Sequence, residues 1–383
     1  MYFRNWPFRM VPERSPDVWA DRKKLFEEMK TSFNDTLEKK RSTFLCVWGY
    51  VGAGKSHSLL HFKTMFEKEG KNSVVYSPLP KEMRRFADLY QQGFYSAMNS
   101  IVLAKVAADI WTKLNPSGVD LAEEMKALEI VTNEIACGRM DIATAILTLG
   151  RSVATSKSVR DPMCLLSQAW LSGERLSKRY LAALDVSANL TDDSDFVKAA
   201  SSIIRMLTYQ SDRCQEYCSL IWILDDCHYF AEIKKQSQKN FAAIQQGIRD
   251  LFDLCPDDLS LALSFASGSF SIMKELLIED LQSRVSRVIQ IPPLTLEESF
   301  EFISDLISNE KFRSEKNVDD KYYPYTKESL KLTIQFISKQ EDLTPRNLMK
   351  YFDILTSRAQ NEIYPKKITP EFVQAYFSSV TQA

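Results

Sequence analysis

Residues 42–56 read Ser-Thr-Phe-Leu-Cys-Val-Trp-Gly-Tyr-Val-Gly-Ala-Gly-Lys-Ser, and this stretch decides the fold class. Its first half is a short apolar run closed by glycine, the pattern of a strand buried on both faces of a parallel sheet. Its second half, Gly49-Tyr50-Val51-Gly52-Ala53-Gly54-Lys55-Ser56, fits G-x-x-x-x-G-K-[ST] and leads into a helix expected over residues 55–70. Glycines let the backbone wrap a phosphate, successive N–H groups turn inward, and the helix N-terminus adds positive potential. Lys55 is expected to reach the β- and γ-phosphates of ATP, and the Ser56 hydroxyl to ligate Mg2+. His57 comes next and is counted with the cofactor-binding residues, although for it and His61, one turn later, packing against the sheet is the better reading.

A second strand is expected at residues 73–76, ended by Pro78 and Pro80, so the first ~80 residues form a strand-loop-helix-strand unit. Residues 81–210 are rich in Ala, Leu, Lys, Glu and Met with few turn residues, and read as an all-helical insertion. Strands return at 219–224, 259–266 and 288–291, giving a sheet of about five. Residues 220–226, Leu-Ile-Trp-Ile-Leu-Asp-Asp, end a hydrophobic strand in two carboxylates. There Asp225 can hold a Mg2+-bound water, and Asp226 points to where an attacking water would sit.

After Pro293 only helices are expected, near 296–309, 327–339, 345–359 and 370–377. The chain therefore divides into a proline-punctuated, aromatic arm (1–17) lying on the body of the domain, a core (18–80 and 211–294), the insertion (81–210) and a helical lid (295–383). Within the core, a helix is expected from residue 18 to 39, with Pro16-Asp17 as its start.

With 383 residues and 45% hydrophobic content, the chain can bury a large core. Lysine plus arginine (49) nearly balance aspartate plus glutamate (50), for a formal charge of −1. No global field singles out nucleic acid or anionic lipid as a partner. Seven cysteines without a regular framework fit a reducing compartment. No stretch approaches the roughly 18 charge-free apolar residues of a membrane span, and the first residues lack the apolar core of a signal peptide; a cytoplasmic location is expected. Cys214, Cys218, Cys227 and His228 match no standard zinc spacing.

The two nucleotide motifs resemble those of AAA+ and allied P-loop ATPases (the ASCE class), the group containing initiator-type ATPases and the ATP-binding proteins of bacterial transposition and phage-defence systems. The resemblance spans residues 16–360 and implies a three-layer α/β/α core with a parallel sheet, and a small helical lid. It implies further site residues. Pro16-Asp17-Val18-Trp19-Ala20-Asp21-Arg22 resembles the segment flanking the adenine, with Arg22 as contact. Ser267, with Ser269 second, resembles the polar residue sensing the γ-phosphate. Arg287, with Arg284 second, resembles the finger supplied to a neighbouring subunit, and Arg346 in Leu343-Thr344-Pro345-Arg346 resembles the lid arginine over the nucleotide. Residues 170–177, Trp-Leu-Ser-Gly-Glu-Arg-Leu-Ser, followed by Leu181, Leu184 and Val186, resemble a segment of ATP-binding proteins from bacterial defence islands. A packed helix-turn-helix explains the same residues.

Three readings stay open at this point: a homo-oligomeric ATPase whose insertion carries a protein partner; an ATP-binding switch that hydrolyses slowly and recruits an effector; and a DNA-loading or transposition-targeting ATPase. Hydrolytic relatives more commonly have Glu where Asp226 stands, one methylene longer, which favours the second.

Overall fold

The computed structural model describes residues 1–11, 13, 16–20, 22–118, 120–210, 217–313, 320–364 and 366–381; Asp21 and Cys214 lie outside this set. In chain order the elements are α1 (Lys23–Lys39), β1 (Thr43–Gly49), α2 (Lys55–Glu69), β2 (Asn72–Pro78), α3 (Phe86–Leu89), α4 (Ser100–Leu114), α5 (Leu121–Ile130), α6 (Met140–Ser156), α7 (Pro162–Leu171), α8 (Lys178–Leu184) and α9 (Asp193–Leu207). They continue with β3 (Ser219–Asp225), α10 (Phe230–Gln236), α11 (Gln238–Leu254), β4 (Leu259–Ala266), α12 (Phe270–Glu275), α13 (Glu279–Gln282), β5 (Arg287–Ile291), α14 (Leu296–Ser308), α15 (Lys327–Ser338), α16 (Pro345–Glu362) and α17 (Pro370–Thr381).

The strands form one parallel sheet in the order β2-β3-β4-β1-β5. Parallel neighbours need crossover connections, and the helices of those crossovers cover both faces. That is why β1 and β3 are buried at every position and lack polar alternation. At the carboxyl edge, Gly49 is in register with Ala266 on one side and Ile291 on the other, and Asp225 with Pro78. A β-carbon at Gly49 would lie 2.3 Å from the Ile291 carbonyl oxygen, so glycine is what lets β5 close against β1. The glycine loop and the acidic pair thus meet at one sheet edge, where open α/β sheets bind their ligands.

One face is covered by α1 and α2, through Met29, Phe33, Phe62 and Phe66 on Leu45, Val47, Ile221 and Ile223. The helix expected from residue 18 begins only at Lys23. The carbonyls of Pro16 and Val18 instead accept hydrogen bonds from His61 and His57 of α2, both 3.1 Å, which holds residues 16–18 against α2. The other face is covered by α10 and α11 and, equally, by the helical segment after β2. Tyr90, Phe94, Phe196, Ile203 and Leu207 share a core with Trp222 and Leu224. The rings of Phe94 and Trp222 meet edge-on at 5.1 Å. Each large side chain buried there contributes about 1.5–3 kcal/mol. Among the described residues, 81–210 carry no strand, and they pack as part of the sheet's own layer rather than as an appendage.

The C-terminal helices α14–α17 enclose a separate core around Phe302, Ile303, Ile334, Leu348 and Phe352. The aromatic arm joins this core, not the sheet: Tyr2, Phe3 and Phe8 are buried in it. The Tyr2 hydroxyl donates to the Lys366 carbonyl (2.7 Å), and Trp6 Nε1 donates to Asp353 (2.6 Å). The arm's apolar rings needed a surface, and the lid supplies it. No helix of the described residues is long and apolar enough to cross a membrane.

Candidate functional site

The loop between β1 and α2 turns on two glycines in the left-handed region, Gly52 at φ 82° and Gly54 at φ 100°. Side chains rarely adopt that region. At Gly52 a β-carbon would also come within 3.0 Å of Arg346 Cβ and 3.2 Å of Thr344 Oγ1. The first turn of α16 therefore rests directly on the loop, and its Arg346 N–H donates to the Gly52 carbonyl at 3.3 Å. Thr344 caps this helix by accepting from the Asn347 N–H, which fixes where Pro345 and Arg346 stand. Tyr50 and Val51 at the loop tip are exposed. They line a cleft of about 670 Å³ whose far wall is Ser338 to Asp342, Thr344 and Asn347. Ala53, in contrast, is buried.

Lys55 is only 7% exposed, and its ammonium donates to the carbonyls of Gly49 (3.0 Å) and Tyr50 (2.8 Å). Burial holds its pKa below the ordinary lysine range; Asp225 and Asp226 pull it back up, and Arg346 pushes it further down. Two cations, Lys55 and Arg346, and two anions, Asp225 and Asp226, are thus in electrostatic contact at the mouth of the loop.

Asp225 is 2% exposed and has both oxygens occupied. Oδ1 accepts from the Asp226 N–H at 2.8 Å, and Oδ2 accepts from the Tyr76 hydroxyl at 2.7 Å. The Ser56 side chain faces the same phenol and opposes the rise in its pKa. Burial, followed by the charge of Asp225 and the bond to it, raises the Tyr76 pKa, so the hydroxyl remains a donor. Asp226 is in the left-handed region (φ 59°) and about half exposed. Burial and then Asp225 raise its pKa, with His228, Lys55 and Lys81 opposing. His228 Nδ1 lies 3.9 Å from its carboxylate. The Ser56 hydroxyl and the Asp225 carboxylate make a hard-oxygen set that suits Mg2+, an ion that keeps waters and phosphate oxygens as its other ligands.

The other residues singled out above fall in different places. Arg22 donates to the carbonyls of Ala53 (3.1 Å) and Pro292, bridging the loop and the chain leaving β5. His57, its pKa lowered by burial, is engaged with Val18. Ser267 stands beside the loop, its N–H donating to the Gly49 carbonyl (3.1 Å) and its hydroxyl to the Ser269 carbonyl (2.8 Å). Arg284 and Arg287 are not brought to this mouth. Arg284 pairs with Asp253 through two hydrogen bonds, 2.8 and 3.0 Å. Arg287 is in register with Leu45, in the amino-terminal half of β1, and pairs with Asp35 of α1 at 2.6 Å.

Burial alone would raise the Asp35 pKa, but the bond from Lys39 and the charge of Arg287 hold it below the ordinary carboxylate range. A lowered carboxylate pKa contributes stability above the unfolded value, and that stability is lost as pH falls through the folded value. Arg287→Ala is therefore expected to cost about 1 kcal/mol near neutral pH, a value kept small because the guanidinium is partly exposed. Urea melts should show the gap between variant and parent closing as pH drops below the carboxylate range.

The residue that sequence reading passed over is Tyr76. Its place was legible in principle: side chains alternate along a strand, and Val74 and Tyr76 pack with the α2 side while Val75 belongs to the other core.

No family model matches the chain, and no curated protein matches it. Solved structures do. The Aeropyrum pernix ORC2 protein in its ADPNP-ADP complexes aligns over 99% of this chain and 72% of its own at 11% identity, with a TM-score of 0.50. Its ADP form aligns over 99% and 73% at 10% identity, also with a TM-score of 0.50. The fold is the P-loop α/β/α fold that these structures share. The chain consists of an α/β/α core with a five-stranded parallel sheet, a long helical segment after β2, and a helical C-terminal region.

Proposed function

We propose that this chain binds ATP with Mg2+ between the glycine loop and the lid, hydrolyses it to ADP and phosphate, and works as a homo-oligomer. In this reading Gly49 to Ser56 cradle the phosphates, Lys55 neutralises the terminal ones, and Ser56 and Asp225 hold the metal. Asp226 orients the attacking water, Ser267 senses the γ-phosphate from beside Gly49, and Arg346 contacts the nucleotide from the lid. The observation that carries the reading is the seating of Thr344, Pro345 and Arg346 on Gly52 while Lys55, Asp225 and Asp226 share the same mouth. A phosphate entering the loop would compete for the Lys55 ammonium and alter the contact between loop and α16. The angle between core and lid would then change with nucleotide state.

The same reading sends this motion to a protein or DNA partner. The helical segment 81–210 is the part best coupled to the sheet, because it follows directly on β2 and packs against β3. The likeness of residues 170–186 to a segment of defence-island ATPases supports a role in a bacterial defence or mobile-element system, and free thiols at Cys46, Cys137, Cys164, Cys218, Cys227 and Cys255 support the cytoplasm. Arg22, holding two carbonyls, acts as a strut between the loop and the lid linker, and Arg287, with Arg284 second, is the arginine offered to a neighbouring subunit's site, which it reaches by leaving its present pair with Asp35.

One experiment tests the core of this. Arg346→Ala is expected to weaken ATP binding about ten-fold, the size of one charge-assisted contact, and to abolish any ATP-dependent rise in mass on size exclusion. Unchanged affinity and unchanged assembly in the variant would remove the lid from the site.

A further inference from the structure

The two oxygen ligands expected to hold Mg2+, Ser56 and Asp225, come from elements 169 residues apart in sequence, yet one side chain faces both. The Tyr76 hydroxyl donates to Asp225 Oδ2 at 2.7 Å and faces the Ser56 side chain. Tyr76 lies on β2, which among the described residues is an edge strand paired with β3, two residues before the strand ends at Pro78 opposite Asp225. Strand alternation sends its ring to the α2 side, where it packs beside the cluster containing Phe62 and Phe66. For that packing a phenylalanine would do as well. What the hydroxyl adds is the bond to a carboxylate that is almost fully shielded from water.

We propose that Tyr76 is the positioning residue of the metal site, holding Asp225 in the orientation that receives Mg2+ and setting its distance from Ser56. The geometry explains why this would matter. Asp225 is held at one oxygen by the backbone N–H of Asp226 (2.8 Å) and at the other by Tyr76. Removing the phenol leaves one oxygen of a buried anion without its donor and lets the carboxylate turn about the remaining bond. Mg2+ demands near-octahedral geometry and tolerates little error in ligand direction. Groups that hydrogen-bond a metal ligand typically affect metal affinity by about 10–100-fold.

The inference rests on the nucleotide-binding reading above, and its test separates the two. The full chain is titrated with a fluorescent ADP analogue, first in EDTA and then at fixed nucleotide with rising Mg2+; Mn2+ binding is followed in parallel by electron paramagnetic resonance. Tyr76→Phe is expected to raise the Mg2+ and Mn2+ midpoints about ten-fold while nucleotide affinity in EDTA stays within about two-fold of the parent. In an Asp225→Asn background, Tyr76→Phe is expected to move the midpoint no further. A merely structural tyrosine would weaken binding equally in EDTA, or shift the midpoint equally in both backgrounds, and either result overturns the proposal, as does an unchanged midpoint. If the parent chain binds no nucleotide under any condition, the nucleotide reading itself is what fails.

Discussion

Lys55→Ala is expected to weaken ATP binding by about 100-fold or more while shifting the thermal midpoint by only a few degrees. The two halves of this expectation have the same origin. The Lys55 ammonium is buried, and burial alone disfavours its charge. The protein tolerates it because the Gly49 and Tyr50 carbonyls accept from it and because Asp225 and Asp226 face it. Alanine removes these bonds together with the desolvation penalty of the charge, and the Asp225 carboxylate keeps its two other donors, the Tyr76 hydroxyl and the Asp226 N–H, so the net change in folding free energy stays modest. The bound state has no such compensation. The phosphates bring several negative charges to a site whose other cation, Arg346, lies on the exposed side of the lid. Calorimetric titration with ATP in Mg2+ buffer measures the first half and differential scanning the second. A variant that binds as tightly as the parent would show that the loop is not where ATP is held.

The glycine loop could be read from sequence because every part of it is local: the apolar run, the glycines, the lysine and the helix that follows are consecutive residues, and their physics does not depend on the rest of the chain. The acidic pair was legible for the same reason, as a hydrophobic strand with two carboxylates at its end. What stayed hidden are pairings between distant segments. Nothing local to residues 16–22 announces that His57 and His61 will hold the carbonyls of Val18 and Pro16 and delay the helix to Lys23. Nothing local to Arg287 reveals Asp35, its partner on α1. The long helical segment looked separable because periodicity reports that one face of each helix is apolar but not what that face meets; it meets Trp222 and Leu224. Tyr76 is the middle case. Its strand was evident and its face could be counted from the period of two, but its partner is 149 residues away.

Asp226→Asn is expected to lower turnover by about 100-fold or more while ATP binding stays within a few-fold of the parent. Positioned carboxylates that take or orient a proton contribute about 10²–10⁴-fold to rate, and an amide preserves the shape but not the basicity. Binding is spared because Asp226 contributes its N–H, not its carboxylate, to the hold on Asp225. Removing its charge also relieves repulsion against Asp225 and against the incoming phosphates. The companion variant, Asp226→Glu, decides between the motor and the switch. The aspartate is one methylene shorter than the residue common in hydrolytic relatives, and it is held in a left-handed backbone conformation next to His228 and within reach of the Lys81 charge. If that arrangement already serves to orient water, glutamate overshoots and turnover falls. If the site is built to hold ATP without spending it, the parent turns over slowly and glutamate raises the rate. Single-turnover measurements on parent, Asp226→Asn and Asp226→Glu give the answer: a fast parent slowed by both substitutions excludes the switch, whereas a slow parent accelerated by glutamate excludes the motor.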